Sequence, residues 1–202
     1  MKGREQGGFD QDMDVVLSVR KGNVDEFEKL VEKYQKTMFN TVYRMVGSYE
    51  DACEVVQDAF LSAYRNLDGF KGMSRFSTWL WSIVINLSKN RILQMKAARH
   101  HEQYSLDDPV ETDEGSMARD VASDEPSVLR TLEREETRKK VQDCIDTLEP
   151  EFREVVVLRD IQGFSYDEMA GMLGIVEGTV KSRLFRARNS LKDCLKEVLE
   201  RL

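Results

Sequence analysis

Apolar residues recur along this chain at the spacing of one helix face after another. From Phe27 they fall at Leu30, Val31, Tyr34, Met38 and Val42, the buried stripe of an amphipathic helix. Asn23 stands where an N-cap is wanted, and Gly47-Ser48 closes that helix and starts the next. The second stripe is Ala52, Val55, Val56, Ala59, Phe60, Ala63 and Leu67, opened by Ser48 with Asp51 three residues on. Leu67 to Gly72 reads as a turn. A third long helix follows, with Phe76, Leu80, Ile83, Val84 and Leu87 on one face, and a short helix around Met13–Lys21 caps the three. Beyond Pro126 the helical pattern resumes through Leu129, Leu132, Val141, Ile145 and Leu148, and a compact cluster of helices fills 150–202. No strand alternation competes. The expectation is an all-α protein of two small helical domains, residues 1–101 and 127–202. Residues 102–126, aperiodic and nearly free of aliphatic side chains, form a flexible acidic linker between them.

Composition narrows the chemistry more than the fold. Hydrophobic residues make up 41% of the 202 and charged residues 33%, enough for a packed core under a very polar surface. No apolar run approaches a membrane span. Asp10, Asp12 and Asp14 lie where a signal peptide would be apolar, so a cytoplasmic protein without membrane insertion is expected. Three widely spaced cysteines, Cys53, Cys144 and Cys194, with no Cys-x-x-Cys, speak against a disulfide framework and a zinc knuckle. The two histidines are the adjacent His100 and His101. With no carboxylates paired beside a nucleophile, no glycine-rich phosphate loop and no metal-ligand cluster, the reading is a protein that is not an enzyme and needs no cofactor or metal.

The net charge of −7 hides a segregation that changes this picture. Residues 71–101 carry six basic groups and no acid, whereas 102–126 carry nine acids and one base. An acid-free stretch of that length, in a chain with 37 Asp and Glu, reads as a surface that avoids repelling an anion. Residues 70–91 combine Phe70, Phe76 and both tryptophans, Trp79 and Trp81, with Lys71, Arg75, Lys89 and Arg91. Cations interleaved with aromatic faces suit single-stranded nucleic acid, because unstacked bases recover stacking on side chains. Phe76, Leu80 and Ile83 share the core stripe. The two tryptophans cannot both lie on it, so at least one is expected to be exposed or at an edge.

A second nucleic-acid signal lies near the C-terminus. Ala170, Gly174 and Val180 have the Ala-x3-Gly-x5-Val skeleton of a helix-turn-helix. A small residue lets the helices cross, glycine accepts positive φ in the turn, and an aliphatic residue anchors the second helix. The outward face of that helix carries Lys181, Arg183, Arg186 and Arg188, with no acid between Thr179 and Lys192. This is the arrangement of a helix that enters the major groove.

Together these segments resemble the bacterial RNA polymerase sigma factors of the extracytoplasmic-function type. The resemblance rests on Asp51-Ala-Cys-Glu-Val-Val-Gln-Asp-Ala-Phe60, Phe70-Lys-Gly, Phe76-Ser-Thr-Trp-Leu-Trp81 with Asn86, Ser165-Tyr-Asp-Glu-Met-Ala170, and Gly178-Thr-Val-Lys-Ser-Arg183 followed by Arg186-Ala-Arg188. It implies a subunit that binds core RNA polymerase and directs initiation at promoters, restrained by an anti-sigma protein. By position, Glu54, Gln57, Asp58 and Leu61 match the core-polymerase surface. The spacing independently puts these four opposite Val55, Val56 and Ala59. Phe70, Lys71, Ser74, Arg75, Trp79, Asn86 and Lys89 match the elements that hold an unpaired −10 base. Thr179, Lys181, Ser182, Arg183, Phe185 and Arg186 match the helix that reads the −35 duplex. The sequence departs from the family at Val176-Glu177, where proline is common, and in the triplet Met73-Ser74-Arg75. The alternative is a helix-turn-helix regulator with an N-terminal sensing or dimerisation domain, which binds duplex tightly without polymerase.

Overall fold

The structure, a computed structural model, describes residues 11–103 and 128–200, with side chains from 12 to 98 and from 136 to 196. Eight helices make up the described residues, with no strand among them. Helix α1 (Gln11–Arg20) leads through a 3₁₀ turn at Val24–Glu26 into α2 (Phe27–Val46), α3 (Tyr49–Arg65) and α4 (Phe76–Gln103). The second half comprises α5 (Val128–Asp146), α6 (Pro150–Val156), α7 (Tyr166–Leu173) and α8 (Glu177–Glu200). Nearly all of the expected 102–126 linker lies outside the described residues.

Local chemistry explains most boundaries. Gly47 ends α2 in the left-handed conformation at φ +79°, where its N–H bonds the Tyr43 carbonyl. The Ser48 hydroxyl then accepts from the Asp51 N–H and caps α3. Pro150 occupies the first turn of α6, where its missing N–H costs nothing. A π-helical turn, Val157–Ile161, continues α6 toward the helix-turn-helix. There Ser165 and Glu168 close a reciprocal capping box on α7, and Gly174 ends α7 at φ +66°. Removing the cap with Ser165→Ala is expected to cost about 1 kcal/mol, read as a lower urea midpoint with an unchanged slope.

Two expectations fail. Asn23 does not cap α2. The helix begins only after the 3₁₀ turn, and the Asn23 side chain donates to the Ser18 hydroxyl at 3.0 Å. The cysteines are not all independent either. Cys144 of α5 and Cys194 of α8 form a disulfide across 50 residues, and only Cys53 is free. Wide spacing in sequence carries no information about two helices that pack side by side.

The predicted stripes form the core. Leu30, Met38, Val42, Ala52, Ala59, Ala63, Phe76, Leu80 and Val84 are buried in the first half, and Val155–Leu158, Met169, Val180, Leu184 and Ala187 in the second. Each large apolar side chain so buried contributes about 1.5–3 kcal/mol. The two halves share one continuous apolar core, because α4 packs on α7 and α2 on α5 and α6. Trp81 sits edge-on against Phe164, ring centres 5.7 Å apart. Elsewhere between the halves, Gln162 Nε2 donates to the Thr41 hydroxyl at 2.6 Å and Arg153 Nη1 to the Met45 carbonyl at 2.9 Å. These polar contacts satisfy groups the interface would otherwise strand.

Candidate nucleic-acid interface

Three surfaces gather the residues singled out from sequence. On α3, burial of Val55 and Ala59 against the core turns Glu54, Gln57, Asp58 and Leu61 outward, all four exposed. Leu61 leaves 44% of its surface in water. Glu54 is tied to Arg91 of α4 at 2.8 Å, and Arg91 also bonds Asp51. Asp58 and Gln57 stand free of such ties among the described residues. The face is an apolar spot ringed by acids and an amide, complementary to a basic, partly apolar partner.

The second surface is the loop between a 3₁₀ turn at Leu67–Gly69 and the start of α4. Lys71, Ser74 and Arg75 are exposed, and Met73 is 90% exposed. Beneath them lies an aromatic floor. Phe70, only 4% exposed, tilts against Trp79 at 5.1 Å and meets Phe76 edge-on at 5.8 Å. Trp79 is half-buried and closes the floor on Phe76 at 5.7 Å. Seven residues along, Asn86 projects from the same face of α4 as Trp79 and is exposed. Trp81 faces the opposite way into Phe164, so the tryptophans divide, one at the edge of the loop and one in the contact between the halves. Phe70 supports the loop from below instead of presenting its ring to solvent.

Lys89 belongs to neither face outright. Its ammonium lies 3.0 Å from Glu154 of α6, a carboxylate only 3% exposed. Arg183 of α8 reaches the same Glu154 at 3.2 Å and Glu151 at 2.7 Å. Burial pushes the Glu154 carboxyl above the usual range, outweighing Lys89 and Arg183, which pull it down. One buried acid thus holds a candidate −10 cation and a candidate −35 cation together. No sequence pattern marks Glu154, an acid immediately before the aliphatic run Val155-Val156-Val157.

The third surface is α8. Val180, Leu184 and Ala187 are buried, leaving Ser182, Phe185 and Arg186 on the outer face. Phe185 is 68% exposed, and Arg186 is exposed with no carboxylate in ion-pair range among the described residues. Thr179 is half-buried and its carbonyl accepts from the Ser182 hydroxyl at 3.0 Å. Lys181 is bonded to Glu177 at 2.6 Å, which raises the lysine above its ordinary pKa, and lies 5.5 Å from the Tyr166 ring. Glu177, the departure noted in sequence, therefore neutralises one cation of this helix. Arg188 is paired with Asp160. Of the four basic residues predicted to face DNA, Arg186 is the free one, and Arg183 turns inward to α6.

An exposed basic-aromatic loop on one helical unit and a helix-turn-helix on another match two known domains in this order. Residues 30–98 match the family Sigma-70 region 2, and residues 138–191 match Sigma-70, region 4. The chain is 35% identical over 191 residues to the RNA polymerase sigma-H factor of Pseudomonas aeruginosa, covering 94% of this chain and 96% of that protein. It is 33% identical over 190 residues to the ECF RNA polymerase sigma-E factor of Escherichia coli, covering 94% and 97%. Among solved structures it resembles the sigma factor RpoE of Bartonella quintana, crystallised with the anti-sigma factor NepR. That likeness has a TM-score of 0.63 and 26% identity, over 85% of this chain and 97% of that one. The chain belongs to the extracytoplasmic-function sigma factors.

Proposed function

We propose that this protein is a dissociable subunit of RNA polymerase that selects promoters, with its three surfaces acting in one sequence. The α3 face, through Glu54, Gln57, Asp58 and Leu61, docks on the core enzyme. The helix-turn-helix lays α8 in the major groove of the −35 element. Ser182 and Arg186 are within reach of base edges or phosphates, and Phe185 is suited to a thymine methyl. The loop over Phe70 and Trp79, with Lys71, Ser74, Arg75 and Asn86 around it, receives one unpaired base of the −10 strand. That base is stabilised only when unstacked, so its capture favours strand opening and offsets a cost of a few kcal/mol. An anti-sigma protein restrains the free subunit in the cytoplasm, as the solved complex of its Bartonella relative suggests by analogy. No covalent chemistry is required.

The observation that carries this reading is the pairing of an open basic-aromatic loop with a separate exposed reading helix on one chain. The test is run-off transcription from genomic fragments by core polymerase with and without the protein. Defined start sites should appear only when both are present. Tight duplex binding without core would favour the conventional regulator. Within the holoenzyme, Arg186→Ala is expected to weaken −35 recognition by about 1–3 kcal/mol and reduce the salt slope by about one. Asn86→Ala should relax −10 selectivity with core binding intact, whereas Asp58→Lys should reverse that pattern.

A further inference from the structure

The loop that the proposed function assigns to the −10 base is held in place by a helix outside it. No residue from Lys71 to Ser74 makes a backbone–backbone hydrogen bond among the described residues. The loop is anchored where it leaves the 3₁₀ turn and where α4 begins. At the first anchor, the Arg20 guanidinium at the end of α1 reaches across. Nε donates to the Leu67 carbonyl at 3.0 Å, and Nη2 donates to both the Leu67 and Phe70 carbonyls. Asp68 lies 4.0 Å from the same Nε, almost fully exposed and so a weak electrostatic guide. A planar fork spanning two carbonyls three residues apart fixes their orientation as a single ammonium cannot. Phe70 is the floor of the loop, so the direction of its carbonyl sets the direction in which Lys71 departs.

A second contact from α1 lies under the middle of the loop. Gly72 has φ +67°, and a Cβ there would stand 2.9 Å from the methyl carbon of Met13. The Met13 side chain therefore fills the space below the loop's crest. The helix is itself rigidly seated. Val16 and Val19 are buried, and Asp12 is bonded to Lys33 and Tyr34 of α2. Both of these ties, the Arg20 fork and the Met13 side chain, come from α1.

We propose that Arg20 is a positioning residue for −10 selection: by clamping the Leu67 and Phe70 carbonyls, it sets the conformation in which Lys71–Arg75 meet the unpaired base. This rests on the loop being the base-capturing element. Arg20 touches no DNA; it acts through the loop, and Met13 supports the same conformation from below.

The experiment uses holoenzyme and four promoter fragments that differ only at the captured −10 base. Run-off yields give the ratio of the preferred base to the other three. Arg20→Ala is expected to compress that ratio at least fivefold, with core binding and −35 duplex binding within twofold of the parent. Arg20→Lys, which keeps the charge but not the fork, should fall between the two. Hydrogen exchange of the Lys71–Arg75 amides should quicken in the same order. A role confined to stability would lower all four yields together and leave the ratio unmoved, which would overturn the proposal. Should Arg20→Ala fold poorly, the Arg20→Lys ratio decides in the same way. The loop variants Ser74→Ala and Arg75→Ala separate the levels of failure. If they change the ratio and Arg20 variants do not, the positioning role is wrong. If none of them changes it, the assignment of the loop to the −10 base is wrong, and this proposal falls with it.

Discussion

Reduction of the Cys144–Cys194 disulfide is expected to lower the stability of the C-terminal helices by about 4 kcal/mol. The bond closes a loop of 50 residues, and loop-closure entropy removed from the unfolded chain has about that magnitude. It links α5 to α8 and encloses α6 and α7, so α7, the turn and α8 as far as Cys194 lie inside the closed loop. In a thermal melt followed by circular dichroism, the transition should fall by roughly 10–15 °C when a thiol reductant is added. Cys194 is half-buried and Cys144 only 1% exposed, so reduction proceeds through the Cys194 sulfur. The paired variant Cys144→Ser with Cys194→Ser should melt like the reduced parent and no longer respond to reductant. Cys53→Ser should behave as the parent does, because that thiol is exposed and unpaired. Below the transition, affinity for −35 duplex should change little. Arg186 lies about two helical turns before Cys194, and its helix is held there by Val180, Leu184 and Ala187. Coincident melts with and without reductant would show that the helices hold their unfolded-state entropy by other means.

The bond was also the least legible feature of the sequence, and the reason is general. Periodicity reports which face of a helix is buried, and it placed Met38, Val42, Ala59, Phe76 and Leu80 correctly. Local chemistry reports where helices begin and end. Ser48 took the cap its hydroxyl allows and Gly174 the left-handed turn its missing side chain allows, because each is decided within four residues. Neither signal says what a buried face meets. Cys144 and Cys194, Trp81 and Phe164, and Lys89 and Glu154 are each joined by the docking of one helix on another far along the chain. Asn23 fails for a different reason. Three residues of 3₁₀ helix intervene before α2, and a side chain that prefers caps found the Ser18 hydroxyl instead.

The candidate site divides along the same line. Residues whose role requires only exposure, such as Gln57, Asp58, Asn86, Phe185 and Arg186, stand where the helical wheel places them. Residues that bear charge near a partner are redistributed by it. Arg183 is drawn into α6, Lys181 is matched by Glu177, and Lys89 is held by Glu154. A count of basic residues on a helix face therefore overstates the free positive charge. The missed residues, Glu154 and Arg20, act on candidate DNA-contacting groups from other helices, and no spacing rule links them.

Glu154→Gln is expected to loosen the contact between the two halves by about 2 kcal/mol, roughly a 30-fold shift toward parted molecules, from loss of the one charge-assisted hydrogen bond that Glu154 makes across it, to Lys89. Under the proposed function the halves part to serve a promoter. The −10 and −35 elements lie about 25 base pairs apart, about 85 Å of duplex at roughly 3.4 Å per pair. A compact chain of 202 residues has a radius of gyration of only about 17 Å. Glu154 is the one carboxylate bonded to both Lys89 of the first half and Arg183 of the second among the described residues. Its substitution should cost little overall stability at neutral pH, because the lost Lys89 bond is offset by no longer burying a charged carboxylate on α6, which packs chiefly on α8 in its own half. Burial is the dominant influence on its titration, with Glu151 adding to it and Lys89 and Arg183 opposing. A carboxyl whose pKa is raised by folding contributes its stability below the ordinary carboxylate range and loses it as pH rises through the folded value. The glutamine variant should therefore compare most favourably with the parent at neutral pH and lose ground on acidification. After substitution Arg183 keeps Glu151 at 2.7 Å, and Lys89 is exposed enough to rehydrate. Trp81 supplies the readout, since its ring is 3% exposed and rests on Phe164 across the contact. In a Trp79→Phe background its emission should shift to the red in Glu154→Gln, and free protein should bind promoter DNA more tightly than its parent. An unshifted spectrum would mean that Phe164, Gln162 and Arg153 keep the halves together without the carboxylate.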